Sequence, residues 1–125
     1  MTELLPPSAG FSATALALSL EPLPSAQLLA GLVDAGDVKT GVVELGAVGG
    51  VSFGLWEHTA GVSTDVEADE VFVVVSGRGR VEIAGSADEP ATVILLEPGT
   101  IARLAAGSRT IWTIEEPLRK VWFAG

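Results

Sequence analysis

The sequence predicts an all-β protein, an antiparallel barrel or sandwich preceded by an extended N-terminal arm and holding at most one short helix. Three observations carry that reading. Valine is abundant and there are 15 glycines in 125 residues, a composition that favours strands separated by turns. From residue 40 onward, short apolar runs recur at a spacing of roughly 8–12 residues, each bounded by turn signals. No long helical period competes with them.

Composition then sets limits. A chain of 125 residues is one domain, able to bury a core without disulfide or metal staples. With 48% of its residues hydrophobic, it is not intrinsically disordered. The formal net charge of −9 argues against nucleic acid and against an anionic membrane surface, since both demand a basic face. Solubility is the simplest use of that charge. The absence of cysteine removes disulfide frames, zinc knuckles and thiol nucleophiles. No asparagine is present, so no glycosylation sequon exists. The start of the chain carries Glu3 and no basic residue, and the apolar patch Ala13–Leu20 is too short to span a bilayer. A cytoplasmic protein is expected.

Taken in order, residues 1–39 form the arm. Pro6, Pro7, Pro22 and Pro24 hold the chain extended around the apolar stretch Phe11–Leu20, with room for one edge strand. Ser25 is the expected cap of a short helical turn, Ala26–Ala30, closed by Gly31, and Asp34–Asp37 reads as a turn. Residues 40–125 form the barrel. Strands are expected at Gly41–Leu45 and Val51–Thr59, separated by the glycine-rich turn Gly46–Gly50. Glu70–Ser76 and Arg78–Ala84 flank Gly77, and Arg80 and Glu82 alternate with Val81 and Ile83 as in a half-buried strand. The run Gly77–Arg80 reads as a hairpin turn, not a phosphate cradle, because no helix start follows it. Gly85–Pro90 is a loop. Ala91–Leu96, Thr100–Leu104, Arg109–Glu115 and, after Pro117, Arg119–Phe123 complete the set.

Residue parity adds detail. Val71–Val75 is apolar on both faces, with Phe72 and Val74 on one and Val71, Val73 and Val75 on the other. An isolated antiparallel strand should show one wet face. Its outer face is therefore expected to be covered, by the arm or, preferably, by a second copy in a homodimer.

Three segments, GLWEHTAG (Gly54–Gly61), DEVFVVVSGRG (Asp69–Gly79) and LEPGTIARLAAGSRTIWTIEEPLRKVW (Leu96–Trp122), together resemble the small single-domain cupins grouped with the ureidoglycine-aminohydrolase and ethanolamine-utilisation cupins. Trp56–Glu57, Asp69–Glu70, Gly77, Pro98–Gly99, Gly107, Trp112 and Arg119–Lys120 fall on the recurring features of that group. The resemblance spans roughly residues 52–123 and implies an RmlC-like jelly-roll barrel. It also implies where a divalent metal would be bound, by histidines and a glutamate of the first motif and a histidine of the second. Glu70 stands at the glutamate position. The first-motif histidine positions fall on Ser63 and Asp65, or on Thr64 and Val66 with the other spacing, and the second-motif histidine position falls on Thr110. Thr100 stands where the group carries an aspartate. The resemblance thus implies a degenerate metal site, with Asp65 and Glu70 as the weak candidates for any metal and no cofactor expected.

His58 is the only histidine. It follows Glu57, so the two side chains point to opposite faces, and it is expected to be a surface or strand-end residue outside the ligand set. No Gly-x-Ser-x-Gly elbow accompanies it. Thr110, Trp112 and Ile114 share one face, and Glu70, Phe72 and Val74 share another; the resemblance makes both the barrel interior. The expected ligand pocket is therefore Asp65, Glu70, Phe72, Thr110 and Trp112, apolar and aromatic around a carboxylate. Such a carboxylate needs water, a cationic partner such as Arg103 or Arg109, or a raised pKa. Trp56 and Trp122 are expected in the core. Arg119–Lys120 is expected to meet an acidic partner, Glu57 or Glu115. Two functions follow: a metal-free small-molecule-binding, structural or regulatory module, or a ureidoglycine-aminohydrolase-like enzyme on a small nitrogenous or carboxylated metabolite with Glu70 as the catalytic group.

Overall fold

A computed structural model describes residues 3–28 and 37–125. Eight strands occur among them: β1 (Glu21–Pro22), β2 (Lys39–Val48), β3 (Val51–His58), β4 (Gly61–Val66), β5 (Glu70–Ile83), β6 (Thr92–Leu96), β7 (Ile101–Leu104) and β8 (Arg109–Ala124). A single 3₁₀ turn, Ser25–Gln27, is the helical element of these residues. All pairings are antiparallel, in the order β1-β2-β3-β8-β5-β6, with β4 also on β8 and β7 also on β5.

The two longest strands form the spine. The first half of β5 pairs β7 on one side and the C-terminal half of β8 on the other; its second half pairs β6 and the N-terminal half of β8. Where the halves meet, the β5–β8 register shifts three times between Val74 and Gly79. Such bulges bend a strand and raise its twist. Gly77 sits in that bend with φ +89°, and a Cβ there would fall 2.1 Å from the Pro117 carbonyl oxygen. Pro117 lies on the facing stretch of β8, and bulges are where sheets tolerate the missing N–H of proline.

This arrangement corrects two expectations. Gly77–Arg80 is no hairpin turn, and Pro117 separates no strands: β5 and β8 each run unbroken through their punctuating residue. β4 is a strand the alternation did not announce, its residues Ser63, Thr64 and Asp65 being polar on both faces.

The core lies between the folded halves. Phe72, Val74, Val81, Leu96, Leu104, Trp112, Ile114 and Leu118 are buried there, with Trp56 and Trp122 packed against them. The even-numbered positions of β8 and of the first half of β5 thus point inward, and the bulges switch the second half of β5 to odd-numbered inward positions such as Val81.

The arm lies along the outside. Leu5 N–H donates to the Leu45 carbonyl at 2.9 Å, and β1 adds two residues to the edge of β2. The expected edge strand is this Glu21–Pro22 pair; Phe11–Leu20 forms none. Arg119, on the outward side of β8, donates to the Ala13 carbonyl at 3.0 Å and to the Leu16 carbonyl, while its Nε and Nη2 bind Glu57. Gly41 lets the arm approach, since a Cβ would lie 2.5 Å from the Ser19 carbonyl oxygen. Ser25 is the first residue of the 3₁₀ turn and Pro24 its N-cap, with no side-chain capping bond. Leu29, Ala30, Gly31 and all but the last residue of Asp34–Asp37 lie outside the described residues. No helix among the described residues is long and apolar enough to cross a membrane.

Candidate functional site

The inward face of β8 carries Trp112, Leu118 and Lys120. Lys120 faces Trp56 of β3 and Val74 of β5 across the sheet. Its Nζ donates to Glu70 Oε2 at 2.8 Å and lies 4.6, 4.4 and 4.7 Å from the ring centroids of Trp56, Phe72 and Trp112. Only 4% of the lysine side chain is exposed, and 16% of the glutamate. A buried ammonium is expensive unless paired and hydrogen-bonded. Here one proton is taken by a carboxylate, and the π-faces of three rings complete the shell. The Glu70 partner is this lysine, not Arg103 or Arg109, and Glu57 holds Arg119.

A cavity of about 530 Å³ opens between this inner wall and the arm, lined among others by Trp56, Ser63, Asp65, Glu67, Glu70 and Trp112. Glu67 was not anticipated. Its Oε2 accepts from Thr110 Oγ1 at 2.5 Å and from Trp112 Nε1 at 3.1 Å, so two inward residues of β8 orient a carboxylate from the end of β4. Asp65 Oδ1 accepts from the Val66 amide at 2.8 Å. Burial, with the charges of Glu67 and Glu70 beside it, pushes the Asp65 carboxyl above the usual carboxylate range, against the opposing pull of the Val66 amide and Lys120.

His58 is wholly buried at the end of β3, so the surface reading of it is corrected while its strand-end place stands. Its Nδ1 lies 2.5 Å from the Thr59 carbonyl oxygen and its Nε2 2.8 Å from Ser63 Oγ. Burial, and more weakly Lys120, lower its pKa despite the raising effect of the Thr59 carbonyl.

Of the residues expected to line a pocket, Asp65, Glu70 and Trp112 line the cavity. Phe72 is fully buried beneath Lys120, and Thr110, 2% exposed, stands behind Glu67. Trp56, expected in the core, both packs on the core and faces the cavity. Glu67, and the pairing of Lys120 with Glu70, are what sequence reasoning missed. Neither follows from local pattern, since their partners lie 43 and 50 positions away in the chain respectively. A second, more apolar groove of about 740 Å³ runs on the far side of Asp65 past Val66, Ile83 and Ile111. Its lining offers fewer buried polar groups.

The resemblance would place a divalent ion here. Such a site needs several converging lone pairs, and no group of three or more His, Cys, Asp or Glu side chains is so placed among the described residues. Glu70 presents Oε2 to an ammonium, and Thr110 spends its hydroxyl proton on Glu67.

Comparison with curated proteins gives no match. Among solved structures the chain is similar to the EutQ protein of Clostridium difficile, with a TM-score of 0.63 at 14% identity over 91% of this chain and 83% of that one. It is similar to a putative ethanolamine utilization protein Q of Salmonella typhimurium, with a TM-score of 0.52 at 14% identity over 70% and 68% of the two chains. Ectoine synthase from P. lautus gives 0.52 at 18% identity over 67% and 62%. These likenesses show the cupin fold. The model of the EutQ-like cupin domain family matches residues 45–122, from within β2 to within β8, which is most of the barrel just described. The chain therefore belongs to the EutQ-like cupin domain family.

Proposed function

We propose that this protein is a small-molecule-binding cupin whose lumen is organised by an internal lysine in the role that a metal ion would otherwise hold. The observation that carries the reading is the Lys120 ammonium, 2.8 Å from Glu70 and enclosed by three aromatic rings. One oxygen of the Glu70 carboxylate is engaged, and a metal ion placed on that carboxylate would meet the lysine's buried charge at contact range. What is left beside the lysine is a cavity with tryptophan walls and a few oriented polar groups, the usual make-up of a small-molecule site.

Metal analysis of the protein purified without chelator tests this. A content well below one equivalent per chain is expected, together with an unchanged melting temperature on adding manganese, nickel or zinc. A stoichiometric metal, or a clear rise in melting temperature, would overturn it, because a ligand that binds only the native state stabilises it by mass action.

A further inference from the structure

We propose that the ligand of this cavity is a small organic cation rich in N–H donors, an alkylammonium or guanidinium compound held by Asp65 and Glu67 beside the tryptophan pair. The inference rests on the reading of the lumen as a small-molecule site and specifies the ligand class.

The hydrogen-bond polarity of the inner wall is the first argument. A carbonyl oxygen only accepts, so the 2.5 Å contact of His58 with Thr59 requires the proton on Nδ1. Burial keeps the ring neutral, which leaves Nε2 a bare lone pair. Ser63 Oγ, 2.8 Å away, must then donate to it. Ser63 is 4% exposed and lines the cavity. With its proton turned inward, it offers the cavity lone pairs only.

The carboxylates say the same. Glu67 has Oε2 occupied by Thr110 and Trp112, with no hydrogen bond to Oε1 among the described residues. Asp65 accepts a single bond on Oδ1, from the neighbouring amide. Neither is ion-paired among the described residues. Glu21 and Glu70 also border the cavity, against one cation, Lys120, which is itself covered. An incoming anion would face uncompensated carboxylates and acceptor lone pairs. An N–H-rich cation would meet acceptors on one side and π-faces on the other. Trp56 and Trp112, 5.2 Å apart between centroids, already hold one ammonium in this way.

The full chain is titrated by calorimetry with n-butylguanidinium, n-butylammonium, butyrate and n-butanol, with tryptophan fluorescence as a second readout. The cations are expected to bind about tenfold or more tighter than butyrate, since favourable cation–π and carboxylate contacts become repulsive for the anion. Asp65→Asn, and separately Glu67→Gln, should narrow that ratio while circular dichroism shows the fold kept; Asp65→Asn serves if loss of the Thr110 and Trp112 bonds unfolds the other. Butyrate or n-butanol binding as tightly as the cations overturns the cationic class yet leaves the lumen a small-molecule site. Binding by none of the four overturns both readings.

Discussion

At the scale of single residues, Lys120 decides the character of the lumen. Removing one member of a buried ion pair leaves the other charge unpaired, which costs far more than the pair itself contributes. Lys120→Met should therefore destabilise the protein by about 3 kcal/mol, and Lys120→Met combined with Glu70→Gln by clearly less. Chemical denaturation of the two single variants and the double variant completes the cycle. A double variant as unstable as the sum of the singles would show that the two side chains act independently. His58 makes a prediction in pH. Its folded pKa lies below the ordinary value of about 6.5, so between the two values the unfolded chain binds more protons than the native one. Stability is then complete above roughly pH 6.5 and declines as pH falls through the window below it. His58→Gln should flatten that part of a melting-temperature profile; an unchanged slope would assign the decline to other groups.

The legibility of the site also differs residue by residue. Glu57 as partner to Arg119 could be proposed from sequence, because the two motifs that hold them recur together. Lys120 as partner to Glu70 could not. Parity put Glu70 inside, but which inward groups touch depends on the order of strands around the barrel and on the reach of a long side chain. His58 was misjudged for a related reason. A histidine beside a glutamate looks like a strand edge going to solvent, whereas β4 folds back over it and supplies Ser63.

At the scale of elements, glycine and proline carried the misleading signal. Both usually interrupt strands, and here they sit opposite each other in a bend that neither strand breaks for. The positive φ of Gly77 and its 2.1 Å approach to the Pro117 carbonyl leave no room for a side chain. Gly77→Ala should cost more than about 2 kcal/mol, through strain and displacement of β8. An alanine variant melting within a degree or two of the parent would mean that the bend can relax. By contrast, alternation gives the inward face of β8 and of each half of β5 taken alone; the switch from Val74 to Val81 across the bulges is what it does not give.

At the scale of the whole molecule, the outer face of the sheet remains. The arm covers Arg119, but Val71, Phe123 and Ile101 stay 38%, 41% and 71% exposed, and Val71 is register-paired with Phe123. The homodimer expected from the two apolar faces of Val71–Val75 would seat here. Two copies each carrying a net charge of −9 repel one another over a Debye length of roughly 8–10 Å at moderate salt, while the apolar contact is not weakened by salt. The dimer fraction in light scattering should therefore rise with ionic strength, and Phe123→Glu should abolish it. A parent protein that stays monomeric at every salt concentration would leave this face without a second copy.

The grip of Arg119 on the arm has a consequence for how this protein can change. The guanidinium holds the carbonyls of Ala13 and Leu16, groups that every amino acid carries, and Leu5 is tied to the barrel through its own main chain. The attachment thus imposes almost no demand on side-chain identity between residues 5 and 16. That stretch is free to drift in sequence while keeping its path, whereas Arg119 and Glu57 are not. Related chains should show a variable strap fastened by an invariant buckle.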